Sequence, residues 1–131
     1  MNDDALLGKH WIHSLSRCNP LLLDDAEYIE DLLEAAAVQA GMTVLHKASH
    51  QFDPQGVTAF VMLAESHISI HTWPEKMEAA LDVFTCGESD GKVAVDFIVL
   101  GLSGMTLTSD FIARWGEQYL GEEDIDVTYL P

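Results

Sequence analysis

Apolar positions along this chain change period several times, and each change predicts an element. "GKHWIHSL" (8–15) alternates as a first strand, and "RCNPLLLD" leaves it as a loop. Asp24, followed three residues later by Glu27, has the form of a capping box that opens a helix. Ile29, Leu32, Leu33, Ala36, Ala37 and Ala40 then recur at helical spacing until Gly41 stops the run. "MTVLHKASHQF" (42–52) and "GVTAFVMLA" (56–64) are rich in branched and aromatic residues and read as strands joined through "DPQG". "HISIHT" and "LDVFTC" continue the sheet, separated by a short helix that opens with Pro74 and runs through "EKMEAA". "DGKVAVDFIVLGL" predicts a second major helix with Val93, Phe97, Leu100 and Leu102 inward, and "GMTLTSDFIARW" (104–115) a last strand. The acidic tail after Gly116 has little periodicity.

Strands in runs with two helices between them predict an α+β fold. Its form is a two-layer sandwich, a mainly antiparallel sheet with helices on one face. The other face then needs a partner or a polar coat, which leaves dimerisation open.

Length and charge narrow the functional classes. A chain of 131 residues is one domain, and a hydrophobic fraction of 48% excludes disorder in spite of a formal net charge of −16. The longest apolar runs, such as "FIVLGL", fall well short of the roughly 20 residues that cross a bilayer. "MNDDALLGKH" lacks the basic-then-apolar form of a secretion signal, so the expected location is cytoplasmic. Six Lys and Arg in total argue against a phosphate backbone as partner. The acidity suits a cationic small molecule, although a solvated surface accounts for it equally well. Cys18 and Cys86 stand far apart and outside any C-x-x-C spacing, and by composition alone each reads as a small buried apolar residue.

Residues 65–75, "ESHISIHTWPE", gather the chemistry. Strand alternation puts Ile68 and Ile70 on one side and His67, Ser69 and His71 on the other. As i, i+4 residues on a strand, His67 and His71 stand roughly 13 Å apart, too far for one ion. With no third ligand at a typical spacing, no metal is expected. Ser66 with His71 fits a serine hydrolase, but the G-x-S-x-G elbow is absent. Taken singly, Ser66 reads as a strand-start serine bonded to nearby backbone, and His71 as a hydrogen-bonded, half-buried histidine.

A longer reading changes that balance. "GKH" near the start, "HQFDPQGVTAFVMLAESHISIHTWPE" (50–75) and "AALDVFTCG" (79–87) closely resemble the prokaryotic S-adenosylmethionine decarboxylase proenzymes. The resemblance implies that the chain cuts itself between Glu65 and Ser66 into residues 1–65 and 66–131, leaving a pyruvoyl group at position 66 as the cofactor. It implies that His71 is the processing histidine, with the hydroxyl of Thr58 assisting, and that Cys86 is the proton donor in turnover. The pyruvoyl carbonyl would form a Schiff base with the substrate amine and accept the electrons freed as carbon dioxide leaves. Phe52 and Trp73 would face the adenine or the sulfonium of S-adenosylmethionine, and Glu75 the ribose hydroxyls. The family works as a homodimer of cleaved protomers with sites at or near the interface.

One position departs from the family. A Gly-Tyr pair is common after "WPE", where this chain has Met77-Glu78, so a carboxylate replaces an aromatic ring. That opens an alternative substrate on the same scaffold, a basic amino acid such as ornithine or arginine. A non-enzymatic partner subunit is a further reading, but such a chain would be expected to lose Ser66, His71 or Cys86, and this one keeps all three.

Overall fold

The computed structural model describes residues 5–117. Its elements are β1 (Leu6–Ser16), α1 (Pro20–Leu23), α2 (Ala26–Gln39), β2 (Val44–Gln51), β3 (Val57–Leu63), β4 (Ser66–Trp73), a 3₁₀ turn (Pro74–Lys76), β5 (Glu78–Thr85), α3 (Gly91–Gly101) and β6 (Met105–Trp115). The strands form one six-stranded sheet in the order β2-β3-β4-β5-β1-β6, every neighbouring pair antiparallel. α2 packs against β2 and β3, and α3 against β1 and β5, so both major helices cover the same face. The expected α+β two-layer sandwich is the observed one.

Alternation explains which side chains meet the helices. Val57, Ala59, Val61 and Leu63 of β3, Ile68 and Ile70 of β4, and Ala79, Leu81 and Val83 of β5 are buried against Ile29, Leu33, Ala36 and Ala37 of α2 and Ala94, Val95 and Ile98 of α3. The intervening residues form the open face. On β3 they are Thr58, Phe60 and Met62, and on β4 His67, Ser69, His71 and Trp73. Phe60, Met62 and Trp73 are large apolar side chains exposed there.

Four local expectations are corrected. The helix through "EKMEAA" is a single 3₁₀ turn: Met77 takes φ 58°, its N–H closes on Pro74 O, and β5 begins at Glu78. Burial of Ala79, Leu81 and Val83 in the sheet outweighs the helix propensity of Ala and Glu. The capping box does not form: the N-cap is Asp25, which accepts from Tyr28 N at 3.0 Å, and the residue three on is Tyr28 rather than a Glu or Gln. "NPLLL", read as loop, forms α1, with Asn19 capping Leu21 N and Pro20 in the first turn. In α3 the inward stripe is Ala94, Val95, Ile98 and Leu102, with Phe97 partly buried, while Val93 and Leu100 point outward. The outward side is marked by the exposed Lys92–Asp96 pair at i, i+4, and Val93 and Leu100 lie on that side.

Candidate active site

The residues singled out from the sequence fall into two groups, near opposite ends of β4. The first forms at the β3–β4 hairpin. Leu63 pairs with Ser66, so only Ala64 and Glu65 make the turn. Glu65 adopts φ 60°, the left-handed region that glycine or asparagine normally fills. Ala64 does not share it, so this is not the type I′ or II′ turn whose twist suits a two-residue hairpin. Strain of order 1–3 kcal/mol is thereby placed on the residue that precedes Ser66.

Cys86 closes over this turn from the end of β5. Its backbone N–H donates to Ser66 Oγ at 3.3 Å, and its thiol donates to the Glu65 carbonyl oxygen at 2.7 Å. One residue therefore touches both the serine oxygen and the carbonyl beside it. Burial, reinforced by the Glu65 carboxylate, pushes the Cys86 thiol above its ordinary pKa and keeps it protonated at neutral pH. Next to Ser66, His67 lies at the sheet surface but stacks flat on Phe84, with centroids 5.7 Å apart, and meets His10 edge-on. Desolvation lowers its pKa, His10 adds to that, and Asp82 opposes it. Phe84, His10 and Asp82 escaped the sequence reading, because only strand register makes them neighbours of His67.

The second group forms at the far end of β4. Thr58 and His71 are direct cross-strand partners, with Thr58 Oγ1 3.0 Å from His71 Nδ1. They line a cavity of about 300 Å³ together with Phe52, Trp73 and Glu75. Glu78 is not part of it. That carboxylate lines a separate hollow of about 350 Å³ with Lys76 and the other flank of Trp73.

The structure thus brings Glu65, Ser66 and Cys86 together, and separately Phe52, Thr58, His71, Trp73 and Glu75, but does not join the groups within one chain. Ser66 and His71 are five residues apart on a strand, roughly 16 Å, and alternation sends them to opposite faces. Among the described residues, no three His, Cys, Asp or Glu side chains gather as a metal site.

Comparison with known proteins agrees with this arrangement of fold and motif. The sequence pattern of the family described as S-adenosylmethionine decarboxylase matches residues 9–114. An S-adenosylmethionine decarboxylase proenzyme of Parasynechococcus marenigrum is 53% identical over 83 residues, 63% of this chain and 65% of the relative, so the match spans just under two thirds of that protein. A proenzyme of the same name from Caldanaerobacter subterraneus is 42% identical over 112 residues, 82% of this chain and 88% of the relative. The crystal structure of the adenosylmethionine decarboxylase from Aquifex aeolicus superposes with a TM-score of 0.74 at 36% identity, covering 92% of this chain and 98% of that one. With a family pattern that runs from β1 to β6, close relatives and a shared fold, the chain belongs to the S-adenosylmethionine decarboxylase family.

Proposed function

We propose that the chain is a self-processing, pyruvoyl-dependent decarboxylase of S-adenosylmethionine, supplying the decarboxylated product as an aminopropyl donor for polyamine synthesis. The observation that carries this reading is the Glu65–Ser66–Cys86 cluster: a left-handed residue, a serine and a thiol–carbonyl hydrogen bond, at the junction where the family motif places cleavage.

The cleavage chemistry follows from these contacts. Ser66 Oγ attacks the Glu65 carbonyl carbon, and the C–N bond breaks, leaving an ester at Oγ and a free amine on residue 66. Negative charge develops on the Glu65 oxygen, where the Cys86 thiol already donates. A base then takes the residue-66 α-proton, the Glu65 carboxylate leaves, and hydrolysis of the resulting unsaturated terminus releases ammonia and leaves the pyruvoyl group. Residues 1–65 and 66–131 remain as two chains.

The surroundings of position 66 fit such a group. The Cys86 N–H already points at an oxygen on that residue, and the Cys86 thiol stands close enough to deliver a proton nearby. When formed, the group supplies the electron-accepting carbonyl that carries a decarboxylation. The chain's own residues orient and protonate: Cys86 as the acid that returns a proton to the α-carbon, Phe52 and Trp73 as aromatic walls for adenine and sulfonium, and Glu75 as acceptor for the ribose hydroxyls. A net charge of −16 favours approach of a cationic substrate. Glu78 lies outside the cavity, and the relatives compared carry the S-adenosylmethionine name, so a basic amino acid as substrate finds no support.

Separation of Ser66 from His71 supports a homodimer as the working unit. A second copy packed over the open sheet face with its β4 reversed would bring its Thr58 and His71 to the hairpin end. They would stand beside the exposed Glu65 turn rather than on the Ser66 side chain's own face, with its Phe52, Trp73 and Glu75 at the same end. Twofold symmetry makes the exchange reciprocal, giving two sites per dimer. The exposed Phe60 and Met62 give that face an apolar centre. No helix of the described residues is long and apolar enough to cross a membrane.

Release of labelled carbon dioxide from carboxyl-labelled S-adenosylmethionine, with ornithine and arginine as controls, tests the reading. Release from the first alone is expected; release from a basic amino acid instead would overturn the substrate assignment. Cys86→Ala separates the two duties of its thiol. Turnover should fall by about 10²–10⁴-fold, the worth of a general acid. Cleavage should slow by less, because a thiol is a weak oxyanion donor. Equal loss of both would remove Cys86 as proton donor. Because burial, and then the Glu65 carboxylate, raise its pKa, the donor form persists through neutral pH, so kcat should decline only as pH rises past the ordinary thiol range. A kcat that already falls as pH rises through neutrality would point to a different acid.

A further inference from the structure

Asp24 joins α1 to α2 and belongs to neither cluster, yet its Oδ1 accepts from two residues that bound the cavity loop: Gly56 N–H at 2.9 Å and Gln51 Nε2 at 2.8 Å. Gln51 Nε2 also donates to Gly56 O at 3.0 Å, as does Phe52 N–H at 2.8 Å. Gly56 is buried at φ 105° with both backbone polar groups taken, so the loop 52–56 is closed around it. One residue on, Val57 N–H donates to the buried Thr72 Oγ1 at 2.9 Å, and that hydroxyl donates to Leu23 O at 2.7 Å. The end of α1 thereby grips Gln51, Gly56, Val57 and Thr72. Phe52, Thr58 and His71 are immediate chain neighbours of those residues.

Residues 52–55 of this loop are exposed. Phe52 is 47% exposed and stands T-shaped to the His50 ring, centroids 4.6 Å apart, so its place leans on polar contacts to the backbone around it. Without the Asp24 carboxylate, the buried Gly56 N–H would lose its acceptor and the loop would open to find water.

We infer that Asp24 is a positioning residue for the substrate cavity, its carboxylate fixing the loop 52–56 and, through it, the place of Phe52. The inference rests on the reading of this cavity as the seat of S-adenosylmethionine. Asp24 does not touch substrate; it acts through Gly56 and Gln51.

The test compares wild type, Asp24→Ala and Asp24→Asn as full-length, self-processed proteins. Amide hydrogen exchange over 51–57 and the kinetic constants for S-adenosylmethionine are measured on each. Asp24→Ala should lose protection at Gly56 and raise KM about tenfold, the effect of losing a hydrogen-bonded anchor, with kcat changed less than about twofold. Asp24→Asn, whose Oδ1 accepts from the same two donors, should restore both. Leu33→Ala, at a fully buried site in α2, serves as a control that lowers stability without moving KM. Unchanged exchange at Gly56 in Asp24→Ala overturns the inference. So does faster exchange with an unchanged KM, or a loss that asparagine fails to rescue. If wild type does not decarboxylate S-adenosylmethionine, the functional reading fails, while the exchange data still decide whether Asp24 holds the loop.

Discussion

Replacement of Ser66 by alanine is expected to leave a single uncut chain of 131 residues with no decarboxylase activity. Without Oγ there is nothing to attack the Glu65 carbonyl, and no pyruvoyl group can arise at position 66. The structural cost is small. Ser66 Oγ accepts one hydrogen bond, from Cys86 N–H near the hairpin turn, and its loss is worth about 1 kcal/mol. Mass spectrometry of a folded Ser66→Ala protein therefore separates lost chemistry from lost structure. Cleavage at Glu65–Ser66 in that variant would remove serine as the nucleophile. Replacing Glu65 with glycine, which adopts φ 60° without strain, should retain the serine and slow cleavage instead.

His71→Ala alone is expected to abolish cleavage as completely, although His71 lies roughly 16 Å along the strand from Ser66 in its own chain. His71 is exposed and bonded to Thr58, so the substitution should cost little stability. The informative experiment joins two inactive chains. Co-expressed with Ser66→Ala, which keeps Thr58 and His71, the His71→Ala chain keeps its own serine and can be cut inside a mixed dimer. With random pairing in a twofold dimer, about half of the His71→Ala chains should be cleaved, and none of the Ser66→Ala chains. No cleavage in the mixture would mean that His71 does not act across an interface, and the open sheet face would need another explanation.

The sequence carried the α+β class, the long helix α2 and the sheet-forming runs because each has a strong period and clear boundaries. Ile29, Leu32, Leu33, Ala36 and Ala37 are buried as their spacing requires. It failed where two signals competed. "EKMEAA" has helix-forming composition, but the strand it enters buries Ala79, Leu81 and Val83. In α3, Lys92 and Asp96 mark the outward side, and Val93 and Leu100, three residues before and four after Asp96, share it despite being apolar. The candidate residues were legible as a motif, not as a site. "ESHISIHTWPE" looks like one constellation on paper, yet strand geometry splits it at β4, sending Ser66 to one face and His71 to the other. Asp24 and Thr72 were invisible for a related reason. Their partners, Gly56, Gln51, Leu23 and Val57, come from different elements, and only the folded chain brings them together.

The most direct measurement is the intact mass of the purified protein after incubation with S-adenosylmethionine and a borohydride reductant. Two fragments split between Glu65 and Ser66 are expected, the C-terminal one carrying a covalently trapped adduct of the decarboxylated substrate. A single uncleaved mass, or cleaved protein that traps ornithine or arginine and not S-adenosylmethionine, would contradict the proposed function.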